Sequence, residues 1–441
     1  ATFTAVSGDG FFANTSGGAF NMNLPAGSAG AIVSVADYAA TWQTNNLTIV
    51  PNGSDKIGSV AQNATLNVEG QSVTFVFVDS TQGWINIMDS TSNVRGQPPF
   101  ICASVSGTGN TLVTAPCCAN AKVATFKGPG NFTVNSIGSA ANNVVSYLVV
   151  AGGGNGGNGV DNTGAGSGGG AGGFREVKSP VTPYTASPLN GYANAPNRIT
   201  VSAQAYPITV GAGGAQNPNS SQRGGNGSNS IFSTITSAGG GAGGSGNDSS
   251  PKTDSGPNPG PDRRGGVTGG SGGGSRSGSG PSYAPTPYGA PGIAVGNTPP
   301  VSPAQGFPGN MTTPPAGGGG GGGATVIGGA GSNDGKEKGG VGGAGAGTLI
   351  NPATGEPGPG PSRYYSGGGG GSGYDPSITQ APGGLGGGGS GAYCVSASGG
   401  GSAGTTNTGG AGGGGIGVPG SGVQPGGTGG SGIVVIRYKF Q

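Results

Sequence analysis

No histidine occurs anywhere in the 441 residues, which removes the Ser-His-Asp, Cys-His and His-metal designs together. The four cysteines, Cys102, Cys117, Cys118 and Cys394, include a vicinal pair that suits neither a compact zinc cage nor a simple disulfide ladder. Buried thiols, or one bridge from Cys102 to Cys117 or Cys118, are expected instead. The closest approach to a phosphate loop is Gly331-Ser332-Asn333-Asp334-Gly335-Lys336. Its glycine spacing is wrong, and Glu337 follows where such a loop needs Ser or Thr, so a charged surface turn is expected. GxGxxG and GxSxG strings recur only as this much glycine makes them recur, without the strand-turn-helix context that gives them meaning. Carboxylates are few and scattered. The expectation is a protein that is not an enzyme and that has no catalytic residue, cofactor or metal site.

Seventeen basic against fifteen acidic residues, with 7% of the chain charged, argue against nucleic acid as a partner. Arg223-Gly224-Gly225 and Arg264-Gly265-Gly266 have the form of RNA-binding elements, but chance produces them here. No stretch of about 20 apolar residues could span a bilayer, and no charged start with an apolar core opens the chain. A soluble protein made in a cytoplasm, used elsewhere and not inserted in a membrane is therefore expected.

The residue type that remains for recognition is aromatic. Nine of the twelve tyrosines lie between Gly152 and Gly432, most of them in proline-bearing segments. Tyrosine supplies large, stiff, amphipathic contact area, and Ser, Gly and Asn supply adaptable hydrogen bonds. Tyr184, Tyr192, Tyr283, Tyr288, Phe307, Tyr364, Tyr365 and Tyr374 are the candidate contact residues. The bland alternative is that they cap the ends of whatever holds them.

What holds them must be built from glycine. Only 13 of the 109 glycines precede residue 122. Glycine costs roughly 0.5–1 kcal/mol per residue to order relative to alanine, so a side-chain core cannot be the main source of stability. Runs such as Gly152-Gly153-Gly154, Gly239-Gly240-Gly241 and Gly317 to Gly323 follow no Gly-X-Y period, which excludes collagen. Polyproline-II rods without Cβ atoms can instead bundle side by side through their main chains. A flexible linker is the usual meaning of such composition, but the flanks argue otherwise. Val144-Val145-Ser146-Tyr147-Leu148-Val149-Val150 and Ile433-Val434-Val435-Ile436-Arg437-Tyr438 have the composition of buried strands. Their pairing would bracket a segment far too long to be a structureless loop.

Tyr206-Pro207-Ile208-Thr209-Val210 repeats the pattern of a strand feeding a glycine run. The intervening segments 174–207, 216–236, 247–264, 279–315, 333–338, 349–365 and 374–382 are expected as excursions from the bundle. Residues 122–150 add two strand candidates, Val123–Phe126 and Asn131–Val134, expected in the sheet of the closing strand. The first 90 residues alternate as a small sandwich or barrel, with strands near Phe20–Leu24, Ala31–Val35, Leu47–Val50 and Val73–Val78 and with Trp42 and Trp84 inside. The predicted architecture is an all-β N-terminal module (1–90) for attachment or oligomerisation, a linker (91–121), and a glycine-rich polyproline-II helix bundle framed by β-strands (122–441), with little or no α-helix.

Tyr147-Leu148-Val149-Val150-Ala151-Gly152-Gly153-Gly154, Tyr206 to Gly214 and Gly429 to Tyr438 resemble the glycine-rich domain of bacteriophage tail fibres. Gly17 to Pro25, Thr44 to Ile49 and Val76 to Trp84 are similar to β-modules of phage fibre and tail proteins. The resemblance implies layered polyproline-II helices whose loops touch the bacterial surface. It implies a tail fibre or spike adhesin in the virion, usually a homotrimer, with a bacterial cell-surface receptor (protein or polysaccharide) and other virion proteins as partners. The alternative within that class is a head fibre, decoration or baseplate component that uses the bundle as a spacer. An ice-binding protein fits less well, because long proline- and tyrosine-bearing segments would spoil a flat repetitive face.

Overall fold

The computed structural model describes residues 2–90, 100–115, 118–159, 164–217, 223–246, 264–276, 293–312, 317–333, 337–374, 380–393, 399–418 and 422–441. Two compact units divide the chain, Ala1–Gly96 and Gln97–Gln441. The chain is all-β, and its described helical pieces are two short 3-10 turns, Ala140–Asn143 and Ala195–Asn197.

In the first unit, β1 (Phe3–Thr4), β3 (Phe20–Asn23), β5 (Leu47–Val50) and β6 (Ala64–Leu66) form one sheet. The other contains β2 (Gly10–Ala13), β4 (Ile32–Asp37), β7 (Ser72–Phe77) and β8 (Trp84–Ser90). The predicted strands all appear. Alternation directs Val33, Val35, Val73, Phe75 and Phe77 of one sheet and Met22, Leu47 and Ile49 of the other into a single core. Trp42 and Trp84 are fully buried there. The Asp37 carboxylate, itself buried, accepts the amides of Thr41, Trp42 and Gly70, which pins the turn carrying Trp42.

The second unit begins earlier than the sequence suggested. Within the expected linker, β9 (Cys102–Val105), β10 (Thr111–Ala115) and the start of β11 (Cys118–Phe126) are already paired strands. The bracket is real: β13 (Val144–Val150) pairs antiparallel with the closing strand Ile433–Lys439, with Leu148 opposite Val435. β11 flanks the closing strand on its other side, as expected, and β14 (Phe174–Val177) lies outside β13. β12 (Gly130–Ser136) does not join this sheet. It belongs to a second one, in the order β18 (Ile235–Ser237), β17 (Ser230–Phe232), β16 (Ala205–Thr209), β12, β9.

The two sheets face each other across a core in which the Phe132 and Tyr438 rings are 5.7 Å apart and those of Tyr147 and Phe232 are 5.9 Å apart. The first sheet is buried on both faces. Tyr147 and Val149 point to that core, while Leu148 and Val150 pack on Phe174, Ala324, Ile350 and Tyr365. Burial on both faces explains why β13 is a continuous apolar run and not an alternating one. Cys102 is a free, exposed thiol, contrary to the expectation of burial or bridging.

Beyond the sheets the glycine runs are ordered by their main chains. Gly152 and Asn155 donate to Ser228 and Gly225, Gly153 and Gly156 to Gly430 and Gly427, and Gly154 and Gly157 to Gly170 and Ser167. Every third amide therefore reaches the same neighbour, which is the three-residue turn of polyproline II. The rod at residues 166–173 is enclosed on six sides. It donates to rods containing Gly241, Gly319 and Gly412, and it accepts from rods containing Gly154, Gly274 and Gly369. A Cβ on Gly168 would overlap the carbonyl of Gly369, so the spacing of the rods itself demands glycine.

Candidate binding surface

The rods have two different ends. At one end they run into the sheets: Val150 leads to Gly152, Gly173 to Phe174, and Gly432 to Ile433. Each rod then runs away from the sheets, and the next one returns. Nine segments, 160–163, 218–222, 247–263, 277–292, 313–316, 334–336, 375–379, 394–398 and 419–421, join rods whose described tips meet at the far end.

Hydrogen bonds tie those tips to one another. Gly246 donates to Asn158 at 2.8 Å, Arg276 to Arg264 at 2.9 Å, Tyr374 to Glu337 at 2.8 Å, and Gly373 to Ala392 at 3.1 Å. Short two-residue ladders add to this, Ser275–Arg276 with Met311–Thr312 and Gly417–Val418 with Gly422–Val423. The far end is thus one continuous rim.

Its side chains are of two kinds. Tyr374 packs on a small apolar cluster of Ala392, Ile416 and Val418. Arg264 and Arg276 are buried, with Glu337 beside them. Burial lowers the Arg276 pKa from the usual guanidinium range and the like charge of Arg264 adds to this, while Glu337 opposes it. Burial raises the Glu337 carboxyl, opposed by Arg276. Among the described residues no cluster of three or more His, Cys, Asp or Glu could hold a metal, and no helix is long and apolar enough to cross a membrane.

The aromatic residues singled out in the sequence do not share one surface. Tyr374 is on the far rim, and Tyr283 and Tyr288 lie outside the described residues, in segment 277–292, which follows Arg276 of that rim. The others are at or near the sheet end. Tyr365 is fully buried, and its hydroxyl pairs with Thr354 at 2.8 Å. Burial raises its pKa. It is a core residue and has no surface to offer a partner.

Tyr184 is partly buried beneath Arg437, whose guanidinium lies 5.2 Å from its ring, and Tyr192 packs on the sheet core with Arg198 4.5 Å from its ring. The Tyr364 ring covers Gly347 and Gly358, and Phe307 is 37% exposed on the side of the bundle. Sequence reasoning missed Tyr393 and Arg276, and it considered Arg264 only as part of a chance Arg-Gly-Gly string. Tyr393 forms a bridge with Gly373 at the rim, and its signal was an aromatic residue ending a glycine run just as Tyr374 does.

Two buried ionisable side chains fix the sheet-end turns. Glu176 accepts the Ser187 amide at 2.8 Å and the Thr348 hydroxyl, and burial raises its carboxyl pKa. Arg437 donates to the carbonyls of Pro183 and Ile350. Both side chains knit turns to strands, and they work as structural ties.

Sheets, rods and rim together define a glycine-rich rod-bundle protein. The family model described as the glycine-rich domain matches residues 125–439, and the chain belongs to that family. No curated protein matches the chain.

Proposed function

We propose that the chain is a structural virion protein of a bacteriophage, a tail-fibre or spike adhesin, and that it grips the host surface with the far rim of its bundle. The observation that carries this reading is the gathering of the described rod tips at one end of a main-chain-bonded array. Recognition surfaces are commonly variable segments held by a stiff scaffold, and an array closed on its own backbone tolerates change at its tips. Segment 277–292, which follows Arg276 of the far rim in sequence, has four prolines, two tyrosines and no charge, a composition suited to a stiff aromatic contact. The partner is a protein or polysaccharide of the bacterial surface, and the N-terminal sandwich attaches the chain to other virion proteins. The phage assignment itself rests on the resemblance set out above.

The test is binding of fluorescently labelled full chain to a panel of bacterial strains, alongside phage adsorption. Replacing 277–292 with a Gly-Ser segment of equal length, and separately Tyr374→Ala, should reduce cell binding at least about tenfold. Tyr364→Ala, at the sheet end, should leave it unchanged. Binding that survives every rim replacement would end the adhesin reading, and antibody labelling of the capsid alone would make the chain a head component.

A further inference from the structure

One flank of the rod bundle is apolar and uncharged. Ile293 (52% exposed), Val295 (54%), Phe307 (37%), Val326 (46%), Ile327 (41%) and Val341 (50%) all project from it into water. They come from consecutive rods of the perimeter. Gly309 donates to Ala294 at 3.1 Å, Gly328 to Pro308 at 3.1 Å, and Gly329 to Val341 at 2.7 Å, so these segments lie side by side. Segments 293–312, 324–332 and 339–350 contain no Lys, Arg, Asp or Glu.

Glycine is required where a rod faces another rod. On the outer side any residue is allowed, and polar ones would serve the array equally well. Large apolar side chains on four neighbouring strips are not explained by the packing of the array. From ordinary residue sizes they leave about 500 Å² of apolar surface exposed, near the top of the range for the largest patch on a soluble monomer. That is more than half of one partner's share of a standard interface, about 800 Å².

We infer that this flank is a self-association surface, and that its occupant is the same flank of a second copy. A twofold contact sets identical patches against each other. An uncharged patch meets its copy with no like charges opposed and no ion to strip of water, which a charged flank would not permit. Rods bonded side by side through their main chains give the stiff support that such a contact needs. The arrangement is a pair, unlike the homotrimer that the phage resemblance implies, and it is independent of what the far rim binds.

Light scattering after gel filtration of the full chain, over a concentration series to about 100 µM, tests this. A mass of two chains is expected. The quadruple variant Val295→Ser, Phe307→Ser, Ile327→Ser, Val341→Ser should weaken pairing by about 100-fold or more. These side chains are exposed, so its thermal transition should stay close to that of the wild type. Amide exchange on the unmutated protein gives a second reading that needs no variant: protection at 293–297, 305–309 and 325–329 should rise with protein concentration, while the rim stays constant. A mass of one chain or three, a pair that survives the quadruple substitution, or concentration-independent exchange on the flank overturns the inference.

Discussion

Gly168→Ala is the most direct probe of the rod array. An added Cβ would overlap the carbonyl of Gly369 and press on Gly370, and both neighbours are main chain with no rotamer to change. Relief requires the rod at 166–173 to part from the rod at 367–372. That movement stretches the bonds from Gly369 to Gly169 (2.9 Å) and from Ser372 to Gly166 (3.0 Å). Two such bonds are worth about 1 kcal/mol each, and overpacking adds about 1–3 kcal/mol. The restricted unfolded chain returns about 0.4–1 kcal/mol. The net cost is about 2–4 kcal/mol, or roughly 3–6 °C in the transition of a unit as large as Gln97–Gln441.

Gly225→Ala is the matched control, because a Cβ there finds its nearest atoms, on Ala215, at 3.2 Å. Its expected change is within about 1 kcal/mol. The assay is calorimetry with near-ultraviolet circular dichroism of tyrosine. Both tryptophans, Trp42 and Trp84, lie in the first unit, so their fluorescence reports that unit alone and should not move. Equal effects of the two substitutions, or no effect of Gly168→Ala, would refute the claim that rod spacing sets the glycine content.

Three further outcomes follow from single side chains. Asp37→Ala strands the amides of Thr41, Trp42 and Gly70 and should cost the first unit about 3–5 kcal/mol, seen as a lower urea midpoint by tryptophan fluorescence. An unchanged midpoint would mean that water replaces the carboxylate. Burial raises the Glu176 carboxyl, so the folded state holds its proton more tightly than the unfolded chain does. Its contribution is therefore full at acid pH below the ordinary carboxylate range and is lost as pH rises through the raised folded value. Glu176→Gln should flatten that slope in urea midpoints between pH 4 and pH 8, and an identical slope would exclude the buried acid as its source. Tyr365→Phe removes only the bond to Thr354 and should cost about 1 kcal/mol with cell binding intact; loss of binding would restore Tyr365 as a contact residue.

Local composition was enough to find the strands and to pair the ends of the glycine region, because β-branched runs such as Val144–Val150 and Ile433–Tyr438 have few other uses. It was not enough to assign β12 to its sheet, since Phe132 and Val134 would suit either side of the core that both sheets share. The tyrosines were harder for a physical reason. A strand with one face in solvent announces its inside by alternation, but a three-residue rod among identical rods has no such signature. Tyr364 and Tyr365 are adjacent, and one is half-exposed while the other is fully buried.

Yet the sequence did contain a rule that sorts the excursions. A rod that leaves the sheets must be followed by one that comes back, so successive excursions alternate between the two ends. Counting from Val150, the first rod has its tip, Gly159, at the far end, and the second excursion, Phe174 to Val210, returns to the sheets. Carried on, the alternation puts the rod tips at Arg276 and Tyr374 on the far rim and 297–305 and 349–364 at the sheet end. Treating all excursions as equivalent hid this. Tyr374 belongs with one set and Tyr184, Tyr192, Tyr364 and Tyr365 with the other. In a bundle of antiparallel and parallel rods, then, the surface a residue can join depends less on its neighbours in sequence than on whether an odd or an even number of glycine runs separates it from the first strand.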